Sequence, residues 1–254
     1  MHCLKEYQAT DFHKLGNDYL MITRDRECLH FDRDEKILAR KQMTHDEIFK
    51  FKLIYHLAAT MVGIKPLTIM RFKHPPLALK KCASCAAQWQ ELKTLFQGRQ
   101  TLGLRVLECN ARGETLLFYH REACHRLLGM SEIRNFLEAQ GWGYGWETIR
   151  QPHLFIDLCI KEYRQKRSLP VELGLFMGIP LKDVKGYIAG DKQQHLLTAG
   201  WQIYGRRHPS LVLANLYRRL RRYAMLAFFQ HPFETIVERL GRSRLIERLE
   251  LLAE

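Results

Sequence analysis

The feature that most constrains the fold is a pair of short apolar strands joined by a tight polar turn. Residues 102–109 and 115–120 form the two runs, and the connection between them begins at Asn110 and ends at Gly113. Two such runs separated by turn-forming residues are typical of an antiparallel β-hairpin. The chain must therefore contain an antiparallel sheet, and the segments around the hairpin decide what packs on it.

A helix and a strand are predicted upstream of the hairpin. Thr44 and Glu47 have the spacing of a capping box, in which each side chain bonds to the backbone amide of the other residue. Apolar residues then recur at helical spacing until Gly63, a typical helix stop, and Pro66 prevents the helix from resuming. Residues 67–72 are apolar and β-branched, which predicts a short strand directly after the helix.

Most of the remaining chain has apolar residues at helical spacing, interrupted by Gly and Pro. A further short strand is predicted at residues 199–204. Helices are predicted at residues 84–97, 122–128, 132–140, 149–165, 171–177, 181–188, 210–230 and 232–252.

Four predicted strands among about eight helices indicate an α+β fold. We expect a small, mostly antiparallel sheet surrounded by helices, with a helical C-terminal extension. The chain divides into an irregular N-terminal segment at 1–43, where periodicity is weak, an α+β core domain at 44–205, and a basic helical extension at 206–254.

The chain is strongly basic, and the excess charge is concentrated toward its end. Lys and Arg number 40 against 27 Asp and Glu, a formal net charge of +13. Residues 206–230 contain six Arg and no acidic residue, so this segment carries nearly half of the excess. Such a balance favours anionic partners such as nucleic acid, phosphorylated metabolites or acidic proteins, although it also serves solubility alone.

Membrane insertion, export and a structural zinc site are not expected. No run approaches the roughly 20 apolar residues of a membrane span, and the first residues lack the apolar run of a secretory signal. Seven cysteines, an odd number, indicate reduced thiols and a cytoplasmic protein. Cys82 and Cys85 form a close pair, which is half of a zinc site or a redox pair. Because a closed zinc site needs four ligands, we expect no structural metal there.

Three blocks of the sequence carry a recognisable family pattern. Residues 55–66 resemble a block that ends A-P-T-x-x-G-x-K-P. Residues 171–188 resemble H-E-I-G-x-F-L-G-Y-P-L-x-D-V-x-G-F-I, and residues 201–204 are similar to the W-K-V-Y that follows. Over about residues 48–224, the chain therefore resembles the uncharacterised bacterial family known as domain of unknown function thirty-seven ninety-three.

The chain departs from the family pattern at three places. Ala59 replaces a Pro, Val171 replaces a His, and residues 198–200 lack a Cys that precedes the Trp. The resemblance implies a role in redox or metal housekeeping. It identifies neither a cofactor nor a reaction, and it leaves open whether the protein is an enzyme.

Two carboxylates in the second block are candidate catalytic residues. If residues 178–180 fold the two short helices together, Glu172 and Asp183 could act as a paired acid and base. The alternative is that each carboxylate lies near a helix N-terminus, where it compensates the helix dipole and caps backbone amides. The position of Asp183, three residues after Pro180, favours this structural role.

A ligand-binding pocket is predicted between the first and second blocks. Lys65 follows the helix stop and precedes a strand, a rigid position from which its ammonium group can bind an anion or carboxylate. His56 is either a metal or haem ligand or a hydrogen-bonded core histidine. With Thr60, Trp201 and Tyr204, these residues predict a site for an anionic small molecule or a cofactor, tetrapyrroles included.

The basic segment predicts a different class of function. Its cations interleave with aromatic side chains, as they do on surfaces that contact phosphates and stack on bases. This pattern indicates a protein that binds nucleic acid without sequence specificity, or a scaffold that binds an acidic protein. The residues concerned are Arg218, Arg219, Arg221 and Arg222, with Tyr217 and Tyr223 beside them.

The four arginines cannot all face one partner. At 100° per residue they spread over an arc of about 160°, close to half of the helix circumference. We therefore expect some of them to pair with acidic residues, such as Glu234 or Glu238, and about two or three to remain for phosphates.

Overall fold

The computed structural model describes residues 9–15, 18–23, 27–31, 37–73, 101–110, 113–142, 151–190 and 195–241. These residues form two compact units. The first contains the described residues up to 58 together with residues 215–241, and the second contains those within 59–214. The helix predicted at 84–97 and the Cys82 and Cys85 pair lie outside the described residues.

The described residues contain nine strands and eight α-helices, so the predicted α+β class is confirmed. A π-helical turn, Glu138–Trp142, follows the third helix. The strands are β1 Ala9–Leu15, β2 Asp18–Thr23, β3 Glu27–Phe31, β4 Ile37–Gln42, β5 Leu67–Lys73, β6 Leu102–Asn110, β7 Gly113–His120, β8 His195–Thr198 and β9 Gln202–Tyr204. The helices are α1 His45–Met61, α2 Arg121–Gly129, α3 Ser131–Leu137, α4 Pro152–Lys166, α5 Leu173–Phe176, α6 Leu181–Ile188, α7 Arg207–Gln230 and α8 Phe233–Gly241.

The first unit contains a four-stranded antiparallel sheet in which each strand pairs with the next along the chain. Its order is β1-β2-β3-β4. The prediction that residues 1–43 are irregular is therefore wrong for the described strands. Gly16 and Asn17 separate the first two strands in the sequence, and a two-residue Gly-Asn connection is a hairpin signal. The apolar periodicity of this charged segment is weak, and for that reason the sequence did not predict its strands.

Helix α1 begins with the predicted capping box. The Thr44 amide donates to Glu47 Oε2 at 2.9 Å, and the Glu47 amide donates to Thr44 Oγ1 at 3.1 Å. The bond from the Thr44 backbone is the main reason why the pKa of Glu47 is lowered. After the helix, Gly63 has a φ of 74°, a left-handed conformation that glycine adopts without strain. The predicted stop is thus confirmed, and β5 follows directly after Pro66.

Aromatic rings form the core of the first unit. Phe51 of α1 is fully buried, and its ring meets Phe228 of α7 edge-to-face with centroids 5.3 Å apart. Lys41 of β4 places its Nζ atom 4.2 Å from the centre of the Phe228 ring and 3.3 Å from the Glu47 carboxylate. These contacts join β4, α1 and α7 in one cluster.

The second unit contains the predicted hairpin. Strands β6 and β7 pair antiparallel, and β5 pairs with the other edge of β7, which gives a three-stranded sheet of order β5-β7-β6. A smaller sheet forms where β8 pairs with β9; the sequence predicted the second of these strands and missed the first. Phe155 of α4 stacks on Phe176 of α5, with ring centroids 4.4 Å apart, in the core of the unit.

Candidate functional site

The second unit buries a carboxylate, Asp183 of α6, whose side chain has no exposed surface. Its Oδ1 atom accepts bonds from Lys182 Nζ at 2.6 Å and from the Tyr204 amide at 2.8 Å. Its Oδ2 atom accepts bonds from Trp201 Nε1 at 2.8 Å and from Ser210 Oγ at 2.7 Å. A carboxylate has about four lone-pair positions, so these donors use its whole capacity. We call these five residues the Asp183 network.

Asp183 is ionised within this network. Burial alone would raise its pKa, but the bonds from Lys182, Ser210, the Tyr204 amide and Trp201 together hold that pKa below its ordinary value. Lys182 also donates to the Tyr204 carbonyl oxygen at 2.7 Å, so its ammonium group ties α6 to β9 while it balances the carboxylate charge. The geometry favours the structural role for Asp183, because no acceptor position remains to take a proton from a substrate.

A close approach of α6 to β9 supports the network. A Cβ atom added at Gly186 would lie 2.4 Å from Cγ of Tyr204, closer than real Cβ contacts come. The glycine therefore lets the helix lie directly on the strand. The Tyr204 hydroxyl in turn donates to Gln202 Oε1 at 2.8 Å. Trp201 and Tyr204, both predicted ligand residues, are thus parts of a rigid support.

A cavity of about 320 Å³ opens beside the network. Its walls are mostly apolar and come from α5, α6 and the residues around them. Trp201 forms one wall with its indole nitrogen held by Asp183, and we call the space the Trp201 cavity. The described lining residues are Leu169, Pro170, Val171, Leu173, Gly174, Met177, Ile179, Asp183, Val184, Tyr187, Trp201 and Gln202.

The cavity coincides with the sequence blocks that carry the family resemblance. Apart from Leu169 and Pro170, every described lining residue lies within 171–188 or 201–204. At the rim, Leu169 and Val171 are each 37% exposed and Tyr187 is 54% exposed. Leu169 and Val171 therefore make this part of the rim apolar.

Glu172 lines a second cavity, of about 310 Å³, which is polar. Lys166 in the same wall forms a 2.7 Å ion pair with Glu162. The pKa of the buried Cys159 thiol is raised, first by burial and then by the nearby carboxylates of Glu172 and Glu162. Glu172 and Asp183 thus line different cavities, and their acid–base pairing stays a prediction.

The described lining of these two cavities contains no residue of the first block. Thr60 is buried and shares a 2.8 Å hydrogen bond with Thr68 of β5. Lys65 is half-buried in the turn before β5. His56 belongs to the first unit, where its ring meets Tyr55 edge-to-face at 5.0 Å. The roles of Lys65, Thr60 and His56 in ligand binding stay predictions.

Sequence reasoning missed three residues of the site, Lys182, Gln202 and Ser210. The first adjoins Asp183 in the chain and the second lies inside a resembling block, so their positions carried a signal that could have found them. Ser210 lies 27 positions from Asp183, at the start of a helix whose notable feature is its charge. No spacing rule connects residues so far apart.

Helix α7 divides its predicted arginines into two groups. Arg218, Arg219 and Arg222 are exposed, whereas Arg221 is half-buried with its guanidinium 5.8 Å from the centre of the Tyr55 ring. Three of the four arginines therefore lie on the exposed side of the helix. Glu234, one of the predicted acidic partners, lies 3.8 Å from Lys50.

Among the residues that the structure describes, no group of three or more His, Cys, Asp or Glu side chains could hold a metal ion. Cys82 and Cys85 lie outside that part of the chain, so the expectation about zinc there stays a prediction. None of the described helices is long and apolar enough to cross a membrane.

The fold and the cavity define an α+β protein with an apolar cavity built against a buried ionic network. A family model described as protein of unknown function (DUF3793) matches residues 53–236. Because this match covers well over half of the sequence, the chain belongs to that family, which confirms the resemblance. The match also runs beyond residue 224 into α8, so the whole of α7 lies within the family region. No curated protein and no solved structure matches the chain.

Proposed function

We propose that the protein binds a small, largely apolar molecule in the Trp201 cavity. The observation that carries this proposal is the cavity itself, about 320 Å³ of space with apolar walls on a hydrogen-bonded support. Ligand sites are typically concave, mostly apolar and preformed, with volumes from about 300 Å³ upward. Walls that are already fixed lower the cost of binding, because few side chains must be ordered when the ligand enters.

The electrostatics of the cavity favour a ligand with a neutral body. Asp183 is the one charged group among the described lining residues, and Lys182 with three further donors already compensates it. A charged group against the apolar walls would lose its hydration without gaining a partner. A polar or anionic group on the ligand would therefore point outward, where the Tyr187 hydroxyl and the side-chain NH₂ group of Gln202 can bond to it. An anionic ligand, as the sequence predicts, fits in this orientation.

Decan-1-ol and decanoate test the cavity, because the two molecules share one alkyl chain and differ in charge. We expect both to raise the unfolding temperature, since a ligand that binds the folded state stabilises it by mass action. Val171→Trp should fill the rim and remove both shifts. Leu196→Trp is the matched control, since Leu196 is apolar, 54% exposed and absent from the described lining. Equal shifts in the wild-type and Val171→Trp proteins would place the ligand elsewhere and contradict the proposal.

The anion site at Lys65 and the redox or metal role are separate proposals with separate tests. Lys65→Ala should weaken the retention of an anionic ligand that co-purifies while leaving stability unchanged; full retention at equal stability removes Lys65 from the site. The redox or metal role rests on the family resemblance. The absorbance spectrum of freshly purified protein tests it, since haem, flavin and iron–sulfur groups each absorb visible light.

A further inference from the structure

Helix α7 presents two chemically opposite faces within the first unit. Its inward face is apolar and buried, with Leu220, Met225 and Phe228 among its residues. Its outward face carries Arg218, Arg219, Arg222 and Tyr223, all exposed. At 100° per residue these four positions span an arc of about 140°, and they rise along the axis by about 7.5 Å.

The outward face is cationic without acidic neighbours along the helix. No Asp or Glu occurs between residues 206 and 230. On α8, Glu234 lies 3.8 Å from Lys50, which also pairs with Asp46 at 2.9 Å, and Glu238, like Arg222, has an interaction partner of its own. Guanidinium groups stay charged at every physiological pH and bind phosphate in a forked, two-bond geometry. The face therefore attracts polyanions, and its donors match phosphate oxygens in particular.

An exposed aromatic ring distinguishes among the polyanions. Tyr223 is 48% exposed and lies four positions after Arg219, so the two side chains are neighbours on the helix surface. Aromatic side chains next to a basic groove are the platforms on which unpaired bases stack. Acidic proteins and anionic lipid headgroups offer no base to stack on Tyr223. Paired bases in a duplex are already stacked on one another and are less accessible to it.

We propose that this face of α7 binds single-stranded nucleic acid without sequence preference. Arg218, Arg219 and Arg222 bind backbone phosphates, and Tyr223 stacks on a base. Arg221 takes no part, because its guanidinium packs over the Tyr55 ring. This surface shares no residue with the described lining of the Trp201 cavity, and the proposal does not depend on what that cavity binds.

The test measures the binding of a fluorescein-labelled oligo(dT) to the full chain by anisotropy at several salt concentrations. On a single strand the log–log salt slope is about −0.7 for each phosphate contact, so three contacts predict about −2. Arg219→Gln with Arg222→Gln should reduce the slope by about 1.4 and weaken binding about 25-fold at 0.1 M salt. Lys161→Gln with Arg164→Gln removes the same charge from exposed positions of α4 and should change affinity little. Tyr223→Phe should bind as the wild type does, and Tyr223→Ser about fivefold or more weakly.

Several outcomes would overturn the proposal. Equal losses in the two double variants would show that net charge alone attracts the strand. Poly-glutamate that competes as well as unlabelled oligo(dT), at equal charge concentration, would assign the face to an acidic protein. Stronger binding of a duplex of the same length, or no salt-dependent binding at all, would also contradict it. Thermal unfolding of each variant shows whether it is folded.

Discussion

Two carboxylates, one in each unit, accept a backbone amide bond and lie beside a lysine, yet their surroundings differ. Glu47 in the first unit has a side chain 34% exposed, and its amide partner is three positions away. Asp183 in the second unit has no exposed surface and accepts donors as far as 27 positions away. Water can replace the partners of Glu47 and cannot reach Asp183. A local polar cluster at the surface is therefore dispensable, whereas a buried long-range one must be complete.

Asp183→Ala should have the largest effect on stability. It leaves the Tyr204 amide, Trp201 and Ser210 without their shared acceptor, while the Lys182 ammonium group keeps its bond to the Tyr204 carbonyl oxygen. A buried donor left without its acceptor costs about 1–3 kcal/mol, so with three such donors we expect a loss of about 3 kcal/mol or more in urea unfolding. Asp157→Ala is the control, because it breaks a 2.8 Å ion pair with Arg105 that is 37–44% exposed in the same unit. Asp157→Ala should lower the free energy of unfolding by at most about 1 kcal/mol. Equal losses in Asp157→Ala and Asp183→Ala would contradict the difference between exposed and buried carboxylates.

Lowering the pH should reduce the stability of the protein through Asp183 more than through Glu47. The pKa of Asp183 is lower in the folded protein than its ordinary value of 3.8, so the unfolded chain binds the proton more readily. The contribution of Asp183 is therefore fully present above about pH 4 and is lost as the pH falls through the folded value. Asp183→Asn should flatten the fall in stability below pH 4. Glu47→Gln, whose carboxyl pKa is also lowered, is the control and should flatten it less.

Gly186→Ala should have the next largest effect. The added methyl group would lie 2.4 Å from the Tyr204 ring, and overpacking of this kind costs about 1–3 kcal/mol. Gly129→Ala is the matched control, because Gly129 is helical and its Cβ would meet no described atom within 4 Å. There the alanine should stabilise its helix, by at most about 1 kcal/mol. If Gly186→Ala and Gly129→Ala both raised or both lowered the unfolding temperature, the close approach of α6 to β9 would be contradicted.

Thr44→Ala should have the smallest effect. It removes the side-chain oxygen that accepts the Glu47 amide, and the loss of such a cap costs about 1 kcal/mol. Thr44→Ser keeps the oxygen and should restore most of the stability. A loss as large as that of Asp183→Ala, measured in the same urea titration, would mean that the surface cluster is as essential as the buried one.

The difference between local and long-range contacts explains which parts of the structure could be predicted from the sequence. The capping box, the Gly63 stop and the β6–β7 hairpin depend on residues a few positions apart, and all three are confirmed. The Asp183 network depends on Ser210 and Trp201, whose contact with the carboxylate arises only after the chain has folded. Spacing rules describe neighbours along one element, so they could nominate Asp183 as a structural residue without naming its partners.

The candidate site shows the same limit. Trp201 and Tyr204 were nominated because they lie in a resembling block, and both belong to the support of the cavity. The apolar cavity itself was not predicted, because its walls come from three segments whose apolar residues resemble those of any core. The exposed side of α7 followed from helical periodicity, whereas the packing of Arg221 on Tyr55 required the fold.

The Asp183 network also imposes an order on synthesis of the chain. Helix α6 leaves the ribosome before Trp201, Tyr204 and Ser210, so the carboxylate can be buried only after all of its donors have been translated. Until then Asp183 keeps its hydration, and the walls of the Trp201 cavity remain unfixed. A nascent chain released just before residue 210 would expose the apolar residues around Val171 and Tyr187 to chaperones and proteases. The last donor to be translated therefore sets the earliest moment at which the Trp201 cavity can have fixed walls.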